Sequence, residues 1–338
     1  MTERTVNPPA RWFAERWERP SLILIALMWA AALLMMTVSG IRDIPPFIAL
    51  IPNWMLLAGT LTLVSGFVWI VRMMLRGEER PLARIAGLDW TAGSKVAFWS
   101  LLGGLHMVAF MSIKPQLNYL VPFWADPLLA DLDALLMFGD PWRWLQWMNN
   151  AATADYYHRG WFLGVVAVLL WQLSRPASRD KAANLLAYFA IWASGPLIHV
   201  LLPAGGPIFY EALGHGDRFV ALVPPKEIQD VAAYLWRTYT EREFAMGAGI
   251  SAMPSLHIAT VTWVVLCCRG TRWTWLAWAY ALSTFALSVS LGWHYAVDGV
   301  LGALVAWVIV VIARRASFLE DEAAAVSGDS LDAVARPV

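Results

Sequence analysis

The chain has 338 residues, of which 59% are hydrophobic and 15% charged, and its formal net charge is zero. An ordinary soluble domain carries roughly 25% charged residues, so this composition excludes a freely soluble fold. With no basic excess, it also offers no footprint for nucleic acid.

Taken in chain order, the N-terminus is polar through Arg19 and lacks a short signal-peptide pattern, so the first apolar run reads as a retained anchor. Eight runs approach the length of about 20 residues that spans a bilayer. They are Ser21–Ser39, Ile48–Val71, Val96–Ile113, Tyr157–Leu173, Ala182–Leu202, Pro254–Cys268, Trp273–Leu291 and Tyr295–Ala313. The predicted fold is all-α: a polytopic membrane helix bundle of about eight transmembrane helices plus interfacial helices. The chain divides into a cytoplasmic segment 1–20, N-terminal transmembrane helices 21–95, a catalytic membrane domain 96–315 and a disordered cytoplasmic tail 316–338. The tail is assigned as disordered because it is Ala-rich and acidic. Many of the 21 Trp stand near the ends of apolar runs, as rings at a membrane interface do. The adjacent Cys267 and Cys268 have neither disulfide nor zinc spacing.

Lys and Arg placement sets the orientation. With the N-terminus in the cytoplasm, the inner segments hold Arg4, Arg11, Arg16 and Arg19, then Arg72 to Lys95, Arg175 to Lys181, Arg269 with Arg272, and Arg314, Arg315 and Arg336. The outer segments hold only Arg42, Lys114, Arg143, Arg159, Arg218, Lys226, Arg237 and Arg242 over longer stretches. Two outer stretches carry helices too short or too polar to span. Asp126-Pro127 and Asp140-Pro141 look like N-caps followed by proline at the first helical position. Ile228, Val231, Leu235 and Tyr239 recur at helical spacing, as in an amphipathic helix lying on the membrane or capping a site.

The chemistry concentrates in Pro254-Ser255-Leu256-His257 and in His294-Tyr295-Ala296-Val297-Asp298. By this topology His257 opens the sixth span, and His294 and Asp298 open the eighth, so all three share one outer face. His294 and Asp298, four apart, share a helix face. A carboxylate there can hold the proton of one imidazole nitrogen and leave the other free as a nucleophile. Pro254 and Ser255 open a helix whose unpaired N–H groups and dipole favour an anion. His257 in its first turn can protonate a leaving oxygen. A lone histidine such as His106 or His199 is more often packed or hydrogen-bonded than catalytic. An intramembrane acid such as Asp298 costs about 2.5–3.5 kcal/mol on insertion scales unless it is paired.

These residues resemble the motifs of the type 2 phosphatidic acid phosphatase superfamily, whose second motif is Pro-Ser-x-His and whose third ends in His-x-x-x-Asp. The resemblance implies His294 as a nucleophile forming a phosphohistidine, Asp298 as its orienter and His257 as the acid, with no metal or other cofactor. Two arginines of the family pattern are missing: Val121 precedes Pro122 in the first motif, and Ser288 stands six residues before His294. That loss, with the stretches KPQLNYLVPFWADPLLADLD and SGPLIHVLLPAGGPIFY, resembles the inositol phosphorylceramide synthase branch, whose members transfer lipid headgroups. Replacement phosphate ligands are expected from Lys114 first and Arg159 second, with Ser255 at the helix start. Arg218, Arg237 and Arg242 read as solvated or as headgroup contacts. Asp126, Asp131 and Asp133 read as surface faces or caps rather than a metal site. Gly205-Gly206-Pro207 reads as a turn beside the site.

The expected protein is a multi-pass enzyme, in a bacterial inner membrane with its site facing the periplasm. It would act on a phospholipid or other lipid phosphate. Hydrolysis and headgroup transfer share their first half-reaction, and the sequence leaves both open. A transporter would show repeats or several mid-membrane charges. An inactive scaffold remains a third reading, because the arginines are lost.

Overall fold

The computed structural model describes residues 13, 15–40, 46–78, 80, 83–84, 87, 90–245 and 247–334, with side chains described as far as Ala316. Arg4, Arg11, Arg42 and Arg336 lie outside the described residues. The main helices in chain order are α1 (Glu18–Val38), α2 (Leu50–Leu75), α3 (Trp90–Leu120), α4 (Asp126–Leu136), α5 (Trp161–Ser174), α6 (Arg179–Leu201), α7 (Lys226–Thr240), α8 (Leu256–Cys268), α9 (Thr274–Ser290) and α10 (Ala296–Val334). Short helical turns fill 142–160. Every regular element among the described residues is helical.

Each of the eight expected spans coincides with a helix, but five are long and apolar enough to cross a bilayer: α1, α2, α3, α6 and the first 21 residues of α10. The other three, α5, α8 and α9, have 14, 13 and 17 residues. At 1.5 Å per residue they fall short of a hydrocarbon core of about 30 Å. The polar start of the sixth run explains one case. Ser255 caps α8, so Pro254 and Ser255 stay outside the helix. Helix α10 runs on to Val334, through the segment where composition predicts disorder. Ala, Leu and Glu there are strong helix formers that extend a helix already nucleated in the bundle.

Lipid-facing surfaces follow from the helix exteriors. Leu56, Leu63 and Phe67 of α2 are exposed, while only Trp54, Ala58 and Met73 of that helix are buried. An apolar exterior on this scale marks an integral membrane protein. The tryptophans divide: Trp90, Trp147 and Trp275 are exposed, whereas Trp17, Trp99 and Trp263 are among the largest fully buried side chains. Tryptophan therefore builds core as well as interface.

Charge closes one end of the bundle. Glu18, fully buried, meets Lys95 Nζ at 2.8 Å and accepts the Trp99 indole N–H at 3.0 Å. Glu15 pairs with Lys181 at 3.0 Å and Lys95 at 3.3 Å. The expected cytoplasmic segment thus folds into the bundle from Glu15 onward and joins α1 to α3 and α6. Arg314 Nε lies 3.4 Å from Asp180 at the same end.

At the other end, α10 crosses the start of α8 so closely that a Cβ on Gly302 would lie 2.4 Å from the Ser255 carbonyl oxygen. Helices α4 and α7 cover this end.

Candidate active site

The polar end of the bundle holds a cavity of about 230 Å³. Its walls include Lys114 of α3, His158, Trp161 of α5, Val231 and Leu235 of α7, His257 of α8 and His294. Residues far apart in sequence therefore converge on one space, and the amphipathic helix α7 roofs it.

The loop before α8 is fixed from three sides. Asn118 donates its amide to the Ile250 carbonyl at 2.7 Å and accepts the Ile250 N–H at 2.8 Å. Gly249 has a positive φ of 95° and packs on α3, where a Cβ would lie 2.7 Å from Pro115 N. Only glycine satisfies both demands. Ala252 N–H donates to the Ala204 carbonyl at 2.8 Å.

The His257 side chain makes no hydrogen bond among the described residues, while its backbone carbonyl accepts the Thr260 hydroxyl at 3.0 Å. Its ring stacks on Tyr157, with centroids 4.9 Å apart, and tilts against Trp161 at 4.1 Å. The His294 ring stands 5.9 Å away, edge to face. The two imidazoles thus face one small volume, close enough to contact a single phosphate group.

His294 lies two residues before α10, not on it as the four-residue spacing predicts. Its Nδ1 lies 2.8 Å from the Ala252 carbonyl oxygen, to which it donates, and 3.6 Å from Asp298 Oδ2. The carbonyl, not the carboxylate, is therefore the nearer acceptor that fixes the tautomer. Asp298, fully buried, accepts the Tyr295 N–H at 2.9 Å and places its charge beside the ring. With Nδ1 occupied, Nε2 keeps the free lone pair.

Of the expected phosphate ligands, only Lys114 lines this cavity. It has no ion pair or hydrogen bond among the described residues, so its ammonium stands without a carboxylate beside two histidines. Ser255 is fully buried, and its hydroxyl accepts the Ile258 N–H at 3.4 Å. It caps α8, and its own N–H donates to the Asp298 carbonyl at 3.2 Å, which joins the two motifs. Arg159 is exposed and pairs with Asp155 at 2.9 Å; it does not line the cavity. Neither missing arginine has a replacement at its own position: Ser288 is buried and donates to the Phe285 carbonyl at 2.7 Å.

The acids of α4 depart furthest from expectation. Asp126 and Asp133, one heptad apart on one face, do not cap their own helix, whose N-cap is Ala125. Asp126 accepts the N–H groups of Gly205 and Gly206 and the Tyr295 hydroxyl, at 2.8–3.1 Å. Asp133 accepts the N–H groups of Ala296 and Val297 at 2.7 and 2.9 Å. It therefore caps α10 across 163 residues of chain. Asp131 and Asp140 both bind Arg218 at 2.8 Å, so Arg218 is a structural bridge rather than a solvated side chain. Gly205-Gly206-Pro207 forms the expected turn. Gly206 has φ 95°, and a Cβ there would lie 2.4 Å from the Trp293 carbonyl. The turn presses against the His294 loop, with Ile208 N–H donating to the Gly292 carbonyl at 2.9 Å.

His106 and His199 behave as packed residues. His106 Nε2 lies 2.9 Å from the Phe189 carbonyl, and His199 binds Ser251 and Asn118. Sequence reasoning missed His158, which lines the cavity beside Trp293, and Asn118; no local pattern marks either. Among the described residues, no group of three metal-ligating side chains converges.

This arrangement can seat an anion between Lys114 and two imidazoles of unlike environment. No curated protein and no solved structure matches the chain. A family profile described as the PAP2 superfamily, however, matches residues 128–312, more than half of the sequence and inclusive of His257, His294 and Asp298. By that match the chain belongs to the PAP2 superfamily.

Proposed function

We propose that the protein cleaves or transfers a lipid phosphoester through a phosphohistidine on His294. Members of the superfamily are phosphatases or phosphotransferases. The observation that carries the proposal for this chain is the approach of His257 and His294 across one cavity that also holds the unpaired Lys114.

In this mechanism the Ala252 carbonyl keeps the proton on Nδ1 of His294, and Nε2 attacks phosphorus. The P–O bond to the leaving group breaks, and the departing oxygen takes a proton from His257. Lys114 and the positive end of α8 balance the charge on the non-bridging oxygens. As the phosphorus accepts nitrogen, the imidazole gains positive charge, which the buried Asp298 carboxylate offsets at 3.6 Å. An acceptor hydroxyl then gives its proton to His257 and attacks the phosphohistidine, which restores the free ring.

The acceptor decides the reaction class. We favour a second lipid hydroxyl, that is, headgroup transfer in the manner of the inositol phosphorylceramide synthase branch; water as acceptor makes the protein a lipid phosphate phosphohydrolase. Three features support transfer: the apolar roof of Val231, Leu235 and Phe209 over the cavity, the absence of the family's two arginines, and the outer stretches that resemble that branch. In the proposed topology eight helices cross the bilayer, the three short ones with help from the flanking turns. The site faces the outside, which is the periplasm for a bacterial inner membrane protein. Its distance from the Lys95–Lys181 end supports this orientation.

The test compares purified parent protein with His294→Ala in detergent, for phosphate release and for headgroup exchange between added phospholipids. Activity in the parent and none in the variant is expected; equal rates remove the phosphohistidine.

A further inference from the structure

A second cavity, of about 580 Å³, lies between α2, α3 and α5 and is walled almost wholly by apolar side chains. It meets the first beside His257: Met107, Met111, His158, Trp161 and His257 line both. Its far wall is Trp54 and Leu57 of α2 with Phe162 of α5. Helix α2 lies outside the stretch that matches the superfamily. It is held to α3 by the Trp54 indole N–H, which donates to the Ser100 carbonyl at 2.8 Å. Gly104 makes room for that ring, since a Cβ there would lie 2.8 Å from Trp54 Cδ1. The crevice volume falls within the roughly 300–1,000 Å³ of small-ligand sites. Arg159, outside the catalytic cavity, stands at its edge.

We propose that this crevice seats a hydrocarbon tail of the substrate lipid, and that α2 selects which tails are accepted. The inference rests on the reading of the His257–His294 cavity as the phosphate site. A phosphate between the two histidines places the rest of its lipid at His257, where the crevice begins. Bilayer tails are as apolar as the groove, so moving a tail between them gains little by hydrophobicity alone. Discrimination must come from shape, and the Trp54–Gly104 contact gives that shape a rigid floor. A tail of matching length and contour positions the phosphate, while a poorly matched one leaves it mobile.

The test uses the full chain in detergent with dioctanoyl and dioleoyl phosphatidic acid. Leu57→Trp fills the crevice away from His257, and Leu56→Trp, on the exposed face of α2, is the control. Leu57→Trp is expected to lower the dioleoyl-to-dioctanoyl ratio of kcat/KM roughly tenfold, the scale on which pockets discriminate by a methylene. Leu56→Trp is expected to keep the parent ratio. A parent ratio in Leu57→Trp overturns the proposal. A second measurement is independent of turnover: a phosphatidic acid with a diazirine near the end of its tail, photolysed on His294→Ala. Labelling of Leu50–Leu57 that unlabelled dioleoyl phosphatidic acid displaces supports the groove, and labelling confined to other helices overturns it. Displaceable α2 labelling with equal turnover in parent and His294→Ala refutes the phosphohistidine alone; His294-dependent turnover without α2 labelling refutes the tail groove alone.

Discussion

Replacing Asp133 by Ala tests how the start of α10, just after His294, is held. The carboxylate is 4% exposed and accepts two N–H groups in the first turn of α10. Burial pushes its pKa up to about 6 from 3.8; the two N–H groups oppose that rise, and the charges of Asp298 and Asp140 add to it. Because the folded value lies above the unfolded one, the stabilising effect of the proton is full below pH 3.8 and is lost as pH rises through 6. That loss comes to about 3 kcal/mol. Truncation strands two buried donors, at about 1–3 kcal/mol each, but also removes the buried charge. Near pH 4 the variant is expected to be less stable than the parent by about 2–6 kcal/mol. At pH 8 the relieved charge offsets most of this. Denaturant unfolding in detergent, followed by tryptophan fluorescence at both pH values, measures the difference. A penalty that is constant or grows with pH would refute the reasoning.

Other consequences follow from single contacts. Lys114→Met removes a cavity cation that has no ion-pair partner among the described residues. It should lower kcat/KM by roughly 10–150-fold, as loss of a charge-assisted hydrogen bond does, with Lys114→Arg recovering part of the loss. Gly302→Ala sets a methyl 2.4 Å from the Ser255 carbonyl, a backbone atom that cannot swing aside. A melting measurement should show a loss of about 1–3 kcal/mol, together with reduced turnover, because α8 carries His257 and the His294 loop leads directly into α10. At Glu15, burial raises the carboxyl, but hydrogen bonds from Lys181 and Trp17 and the Lys181 and Lys95 charges leave it below its ordinary 4.5. Its contribution to stability is therefore present above pH 4.5 and lost as pH falls below it. Glu15→Gln should be less stable than the parent at pH 7 and converge with it in acid; divergence in acid would contradict the pairing.

Short-range patterns were legible in the sequence. Apolar runs located the long helices, and the Pro254–His257 and His294–Asp298 spacings pointed to the candidate site, because both are local in the chain. The amphipathic period of 228–239 gave the roofing helix. Contacts spanning a hundred residues or more left no such trace. Asp126 looks like a helix cap by its Asp-Pro pair and Asp133 like part of a surface face, and nothing local indicates that their partners are Gly205, Tyr295 and Ala296. Lys181 and Glu15 meet across 166 residues. Hydropathy marks eight runs where five helices are by themselves long and apolar enough to cross a bilayer, because it counts apolar residues whether or not a cap such as Ser255 withholds them from the helix. The nearer partner of His294 Nδ1 is a backbone carbonyl, which side-chain identity cannot reveal.

The proposed chemistry requires a covalent bond between phosphorus and His294 Nε2. Purified protein is mixed with lipids carrying radioactive phosphorus (phosphatidic acid, a polyprenyl phosphate, a sphingoid phosphate and phosphatidylinositol), quenched in alkali and mapped by peptide mass spectrometry. At least one lipid should leave base-stable, acid-labile label on the peptide containing His294, and none should do so in His294→Ala. Turnover of any of these lipids with label on another residue, or with turnover undiminished in His294→Ala, would contradict it.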